Sequence, residues 1–165
     1  RFTQAGSWHL GALRASNGEF EEWVTGWDPA GPVAVGDGVV AYVASRSDQP
    51  SAVVALDLQR GKVSVVRRSS DLTVPEEYLS LPEALTWDVA DGAVAHGFFY
   101  PPSAPTSPPP TRHCPPLLVM VHGGPTSATS TGFDPGCSSG PPRFAVLDVD
   151  YRGSTGYGRA YRHGP

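Results

Sequence analysis

Two glycine-bearing loops hold the residue types best suited to chemistry in this chain. His122-Gly123-Gly124-Pro125 follows the apolar run Leu117–Val121, and Tyr151-Arg152-Gly153-Ser154-Thr155-Gly156-Tyr157-Gly158 follows the apolar run 144–149. When a nucleophile attacks an acyl carbon, the carbonyl oxygen becomes an oxyanion, and preorganised backbone N–H donors stabilise it by several kcal/mol. Glycine has no Cβ, so its backbone can approach a reacting group closely. Gly123 and Gly124 are therefore candidate oxyanion donors, and plain turn geometry is the competing explanation for a Gly-Gly-Pro sequence. His122 supplies an imidazole, the commonest general base.

A third motif is a decoy. Gly136-Cys137-Ser138-Ser139-Gly140 satisfies the G-x-S-x-G pattern of a nucleophile elbow. Such an elbow needs a strand immediately before it and a helix immediately after it. Here Phe133-Asp134-Pro135 precedes, Pro141-Pro142 follows, and the interval 136–142 lacks helical periodicity. The sequence predicts a loop there, with neither Ser138 nor Cys137 acting as nucleophile.

The elements that must position the two loops change character along the chain. Before residue 70 the apolar segments are short and alternate with turn residues. Residues 8–13 and 19–24 flank Ser16-Asn17-Gly18 and read as a hairpin. The segments 39–44, 52–56 and 62–66 follow, joined at Asp37-Gly38, Ser47-Asp48-Gln49-Pro50 and Gln59-Arg60-Gly61. Antiparallel strands at this spacing fit a sandwich, a barrel or the blades of a propeller, whose repeat is about 40 to 45 residues. Residues 87–100 read as a further hairpin turning at Asp91-Gly92. Residues 101–116 then hold eight prolines, which remove backbone donors and favour extended conformation, so a connector is expected. The runs Leu117–Val121 and 144–149 are nearly continuous and apolar, as in strands covered on both faces of a mostly parallel sheet. Open sheets of that kind place ligands at the carboxyl ends of their strands, where both glycine loops lie.

Composition narrows the function classes. The chain has 165 residues, an apolar fraction of 39% and a charged fraction of 17%, with 19 Gly and 18 Pro, so turns take a large share. At a net charge of −4, with no basic run longer than Arg67-Arg68, it lacks the footprint that a phosphate backbone requires, and nucleic acid is not an expected partner. The longest apolar run is far shorter than the ~20 residues of a membrane-spanning helix. Cys114 and Cys137 belong to no CxxC or Cys/His cluster, so no metal and no cofactor is expected, and two free thiols are preferred to a disulfide. The chain opens at Arg1 with no charged and apolar leader pattern, which favours the cytoplasm.

The order apolar strand, His122-Gly123-Gly124-Pro125, spacer, apolar strand, Asp150-Tyr151-Arg152-Gly153-Ser154-Thr155-Gly156-Tyr157-Gly158 resembles the start of the hydrolase domain in the prolyl oligopeptidase family. The likeness is to its acylaminoacyl peptidase and dipeptidyl aminopeptidase branch. It implies a mixed fold class, the end of an all-β propeller followed by the first strands of an α/β-hydrolase sheet. Residues 1–81 would be terminal blades, 82–116 a bridging hairpin and Pro-rich connector, and 117–165 the beginning of the hydrolase domain. The resemblance assigns the oxyanion donor to the Gly124 N–H, with Gly123 as second choice. Triad order in this fold is Ser, Asp or Glu, His, so His122 takes a structural part near the site, and so does Arg152, as a brace between loops. Nucleophile, acid and base would lie outside these residues, leaving this stretch inactive toward its implied peptide substrate. Within 136–142 the chain departs from the family's amphipathic helix; two compensating frameshifts in the coding sequence would explain that, and the nucleotide read tests it. A carboxylesterase or lipase, or a non-catalytic propeller-type binding module, are the rival readings.

Overall fold

In the computed structural model, the described residues are 1–103, 115–124, 126–138 and 144–164. Short alternating segments become three antiparallel strands first: β1 (Phe2–Gln4), β2 (Ser7–Leu13) and β3 (Phe20–Trp23). The β2–β3 hairpin closes at Arg14 and Glu19, with Gly18 in the left-handed region and the Asn17 side chain accepting the Glu19 N–H at 3.1 Å. A second sheet is the meander β4 (Val33–Gly36), β5 (Val39–Ala44), β6 (Ala52–Asp57) and β7 (Lys62–Arg68). Its first turn is Asp37-Gly38, with φ of 49° and 74°, and both signs match the tight hairpin turn that Asp-Gly favours.

Period-two patterning explains the core of this half. Val40, Tyr42 and Ala44 of β5 and Ala52, Val54 and Leu56 of β6 point inward and are buried. Leu10 of β2 joins them, with Trp23, Trp27, Val33 and Val63 packed at the margin.

The third sheet has the order β10-β11-β9-β8, where β8 is Glu83–Asp88, β9 is Val94–Tyr100, β10 is Leu117–Val121 and β11 is Ala145–Asp150. Strands β8 and β9 form the expected hairpin, which starts four residues earlier than residue 87 and turns through a single 3₁₀ turn, Ala90–Gly92. The pair β10 and β11 is parallel, and β9 runs antiparallel to β11, so the hairpin is joined to the same sheet as the two apolar strands. Among the described residues, hydrogen bonds tie this part to the connections flanking the first two sheets: Ala5 N–H to Gly156 O (2.9 Å), Phe133 N–H to Arg46 O (2.6 Å), and the Thr131 hydroxyl to Asp28 (3.2 Å).

Two expectations need correction. The strand β10 is not covered on both faces: it is the sheet edge, and all five of its residues are exposed, because the described residues place no further strand or helix over it. The segment around Ser138 is not wholly a loop. Residues Pro135–Ser138 form one helical turn, α1, started by Asp134, whose carboxylate accepts the Gly136 N–H and whose carbonyl accepts those of Cys137 and Ser138. Asp before Pro is a favourable helix start, since Asp caps a free N–H and Pro needs none. The chain ends its described part in a second short helix, α2 (Arg159–His163). Cys114 and the body of the proline belt lie outside the described residues, while Cys137 is a free, buried thiol. Among the described residues no helix is long and apolar enough to cross a membrane.

Candidate active site

Parallel pairing brings the two glycine loops together. The register Val121↔Val149 brings both strands to the same side of the sheet, so His122, just beyond β10, and Asp150, the last residue of β11, are neighbours. His122 Nε2 lies 2.6 Å from Ser154 Oγ and 3.7 Å from Asp150 Oδ1. The His122 ring stacks on Tyr151, with centroids 4.5 Å apart and planes 19° apart.

Asp150 is fully buried, and its carboxylate accepts the Thr129 N–H and the Tyr157 hydroxyl, each at 2.8 Å. Burial pushes its pKa above the usual carboxylate range, and these two donors and the nearby His122 oppose the rise. Burial and the Asp150 carboxylate together push the Tyr157 phenol upward. Asp150 also offers its backbone carbonyl to the Tyr161 hydroxyl at 2.5 Å, and the Thr129 hydroxyl donates to Asp148. Tyr157 in turn stacks on His96 of β9 at 4.1 Å, so the network is anchored in the sheet beneath it.

Gly123 and Gly124 sit at the mouth of this network. Gly124 has φ of +77°, a conformation that a side chain would strain, and a Cβ built on either glycine meets nothing within 4 Å. The space beside them is open. Among the described residues neither N–H has an acceptor, whereas the Gly124 carbonyl takes the Tyr151 hydroxyl at 2.7 Å. Arg152 is half-buried beside α2, its Cδ 3.7 Å from where a Gly164 Cβ would stand, and among the described residues its guanidinium makes no hydrogen bond or ion pair.

His122, Ser154 and Asp150 match a hydrolytic triad in residue type, but their geometry is not that of a relay. A relay needs one ring nitrogen on the acid and the other on the nucleophile. Here Nε2 faces both Ser154 and Asp150, Nδ1 faces the Gly123 carbonyl at 3.4 Å, and Ser154 is fully buried. The sequence reading missed Asp150, Ser154, Thr129 and Tyr157 as a unit. The parallel register that joins them is a signal only once the two strands are paired.

Among the described residues Ser138 makes no hydrogen bond to these loops. It is fully buried; its hydroxyl accepts the Asp134 N–H at 3.2 Å and its carbonyl accepts the Ser80 N–H at 2.8 Å, so it ties α1 to the segment before β8. Residues 135–137 before it belong to α1 and residues 126–134 hold no strand, so the strand-to-helix junction of an elbow is missing. Cys137 next to it has a pKa pushed up to about 11, mainly by burial, which keeps the thiol protonated and unreactive at neutral pH. Among the described residues no three His, Cys, Asp or Glu side chains are placed to hold a metal ion.

By fold and sequence together the chain resembles a part of the prolyl oligopeptidase family, serine peptidases and hence hydrolases. Within that class its likeness is to puromycin-hydrolysing enzymes. It is 34% identical to puromycin hydrolase (TM-score 0.85) and 32% identical to a puromycin-hydrolysing peptidase of Mycobacterium tuberculosis (TM-score 0.84), each alignment covering 96% of this chain and 24% of the other. The acylaminoacyl peptidase of Pyrococcus horikoshii shares the fold at 20% identity and a TM-score of 0.74, over 97% of this chain and 24% of that one. This chain therefore spans about a quarter of the length of these structures. No protein-family model and no curated protein sequence matches it.

Proposed function

We propose that these residues are the oxyanion-loop segment of a serine peptidase that cleaves short peptides through an acyl-enzyme. The observation that carries the reading is the Gly123-Gly124 pair at the carboxyl end of a parallel strand, with open space beside it and both N–H groups without an acceptor among the described residues. Gly124 is the oxyanion donor, with Gly123 second, while His122 and Arg152 serve structurally. Nucleophile, acid and base are supplied by residues beyond this stretch, so residues 1–165 alone are inactive. Residues 1–81 are terminal propeller blades, 82–116 the bridge and 117–165 the first part of the α/β-hydrolase domain. The four-stranded meander β4–β7 supports the blade reading, since a blade is one such sheet. The proposed chemistry needs no cofactor.

Likeness to puromycin-hydrolysing enzymes at 32–34% identity favours aminoacyl amides, puromycin among them, as substrates. The test is turnover by the full-length protein of an aminoacyl arylamide, puromycin and a p-nitrophenyl ester in parallel. Amide cleavage supports the peptidase. Ester cleavage alone would replace it with a carboxylesterase, and no cleavage, together with no elbow in the rest of the reading frame, would leave a propeller-type binding module.

A further inference from the structure

Among the described residues of the oxyanion loop, the carbonyls of His122, Gly123 and Gly124 are each engaged, by two side chains. The Tyr151 hydroxyl donates to Gly124 O at 2.7 Å and leans on His122 O at 3.3 Å, while His122 Nδ1 faces Gly123 O at 3.4 Å. In a planar trans peptide the N–H points opposite to the C=O of the same unit. Holding His122 O therefore orients the Gly123 N–H, and holding Gly123 O orients the Gly124 N–H. For Nδ1 to donate, a neutral imidazole must accept at Nε2, and the only donor within hydrogen-bond reach there among the described residues is the Ser154 hydroxyl at 2.6 Å. The Asp150 carboxylate is 3.7 Å from that nitrogen and is already engaged by Thr129 and Tyr157. The Gly123 carbonyl, which can only accept, calls for the Nδ1–H tautomer; the fully buried Ser154 hydroxyl, able to donate, satisfies the bare Nε2, and ring stacking of His122 on Tyr151 holds the plane of the imidazole.

We propose that Tyr151, with His122 and Ser154 behind it, is a positioning clamp that presets the Gly123 and Gly124 N–H groups for the transition-state oxyanion. The inference rests on the oxyanion-loop reading above. Electrostatic preorganisation matters because donors already aimed at the developing charge need no reorganisation during the reaction. Loss of the clamp leaves substrate binding largely intact and weakens only what the transition state gains.

The experiment compares full-length wild type, Tyr151→Phe and Ser154→Ala on an aminoacyl arylamide. Tyr151→Phe removes one oxygen from a partly exposed ring, so a melting temperature close to wild type is expected. Its kcat should fall about tenfold or more with KM within about threefold, and Ser154→Ala should show the same split to a smaller degree. Affinity for a peptide boronate, which forms a tetrahedral adduct, should fall in step with kcat/KM, while affinity for a non-reacting peptide amide stays unchanged. Full kcat in both folded variants would overturn the clamp and leave the peptidase reading standing. A lower kcat with unchanged boronate affinity would also overturn it, because the residues would then act elsewhere than on the oxyanion. A wild type without turnover would remove the peptidase reading and the clamp together.

Discussion

The meander β4–β7 and the strand β10 answer the same physical demand in opposite ways. In β5, Val40, Tyr42 and Ala44 are 0–2% exposed, sealed by β6 on one side and by Leu10, Trp23 and Trp27 around them. The run in β10 is just as unbroken, yet its residues are 39–64% exposed. An apolar run states a need for cover; whether cover arrives depends on which neighbours the chain supplies. The meander closes its own core. The β10–β11 pair presents an apolar edge that a sheet normally pairs or hides. On the proposed function, the rest of the hydrolase domain provides that cover.

The largest expected effect separates the loop beyond β10 from the strand itself. In the full-length enzyme Gly124→Pro removes an N–H and imposes φ near −65° where +77° is found, so kcat should fall ~10²-fold or more. Gly123 has no positive φ and open space around it, so Gly123→Ala keeps its N–H and should leave kcat within about threefold. Equal losses at both positions would mean that the open loop responds to any side chain and that Gly124 has no special part.

Stability tests sharpen the contrast between sealed and open strands. Leu56→Ala in the meander should cost ~2–5 kcal/mol in denaturant unfolding, because a buried leucine leaves a cavity. Val119→Ser on β10 should change the stability of residues 1–165 by no more than about 0.5 kcal/mol, since Val119 is 57% exposed. The same substitution in the full-length protein should cost ~1 kcal/mol or more if further chain covers the strand. Equal and small effects in both would break the comparison.

The smallest effect is a pH dependence. Asp150 has a folded pKa raised by burial above 3.8, so its ionised form costs stability at neutral pH and that cost disappears as pH falls through the folded value toward 3.8. Relative to Asp150→Asn, wild type should therefore gain stability on going from about pH 7 to about pH 4. A difference in melting temperature between the two that does not move with pH would show Asp150 to be unperturbed.

What was legible in the sequence was what neighbouring residues decide. Asp37-Gly38 carries its own turn, and Gly123-Gly124 at the end of an apolar run marks a backbone that must take an unusual path. The one-turn helix α1 was legible too, in Asp134-Pro135, but the prolines at 141 and 142 outweighed it in a reading by periodicity. Hidden were the facts that depend on pairing. The His122–Ser154–Asp150 cluster exists because β10 and β11 align Val121 with Val149, and a shift of two residues would disperse it. The exposure of β10 was equally hidden, since it follows from the strand's place at the edge and not from its composition.

The most direct test asks where a serine-directed reagent reacts. Residues 1–165, the full-length protein and full-length Ser138→Ala are each treated with a fluorophosphonate probe, and the labelled peptide and the acyl burst on an aminoacyl arylamide are measured. The account predicts no label and no burst for residues 1–165, and stoichiometric label on a serine beyond residue 165 in both full-length proteins, with a burst to match. Label on Ser138 or Ser154, or a burst that titrates with residues 1–165, would contradict it.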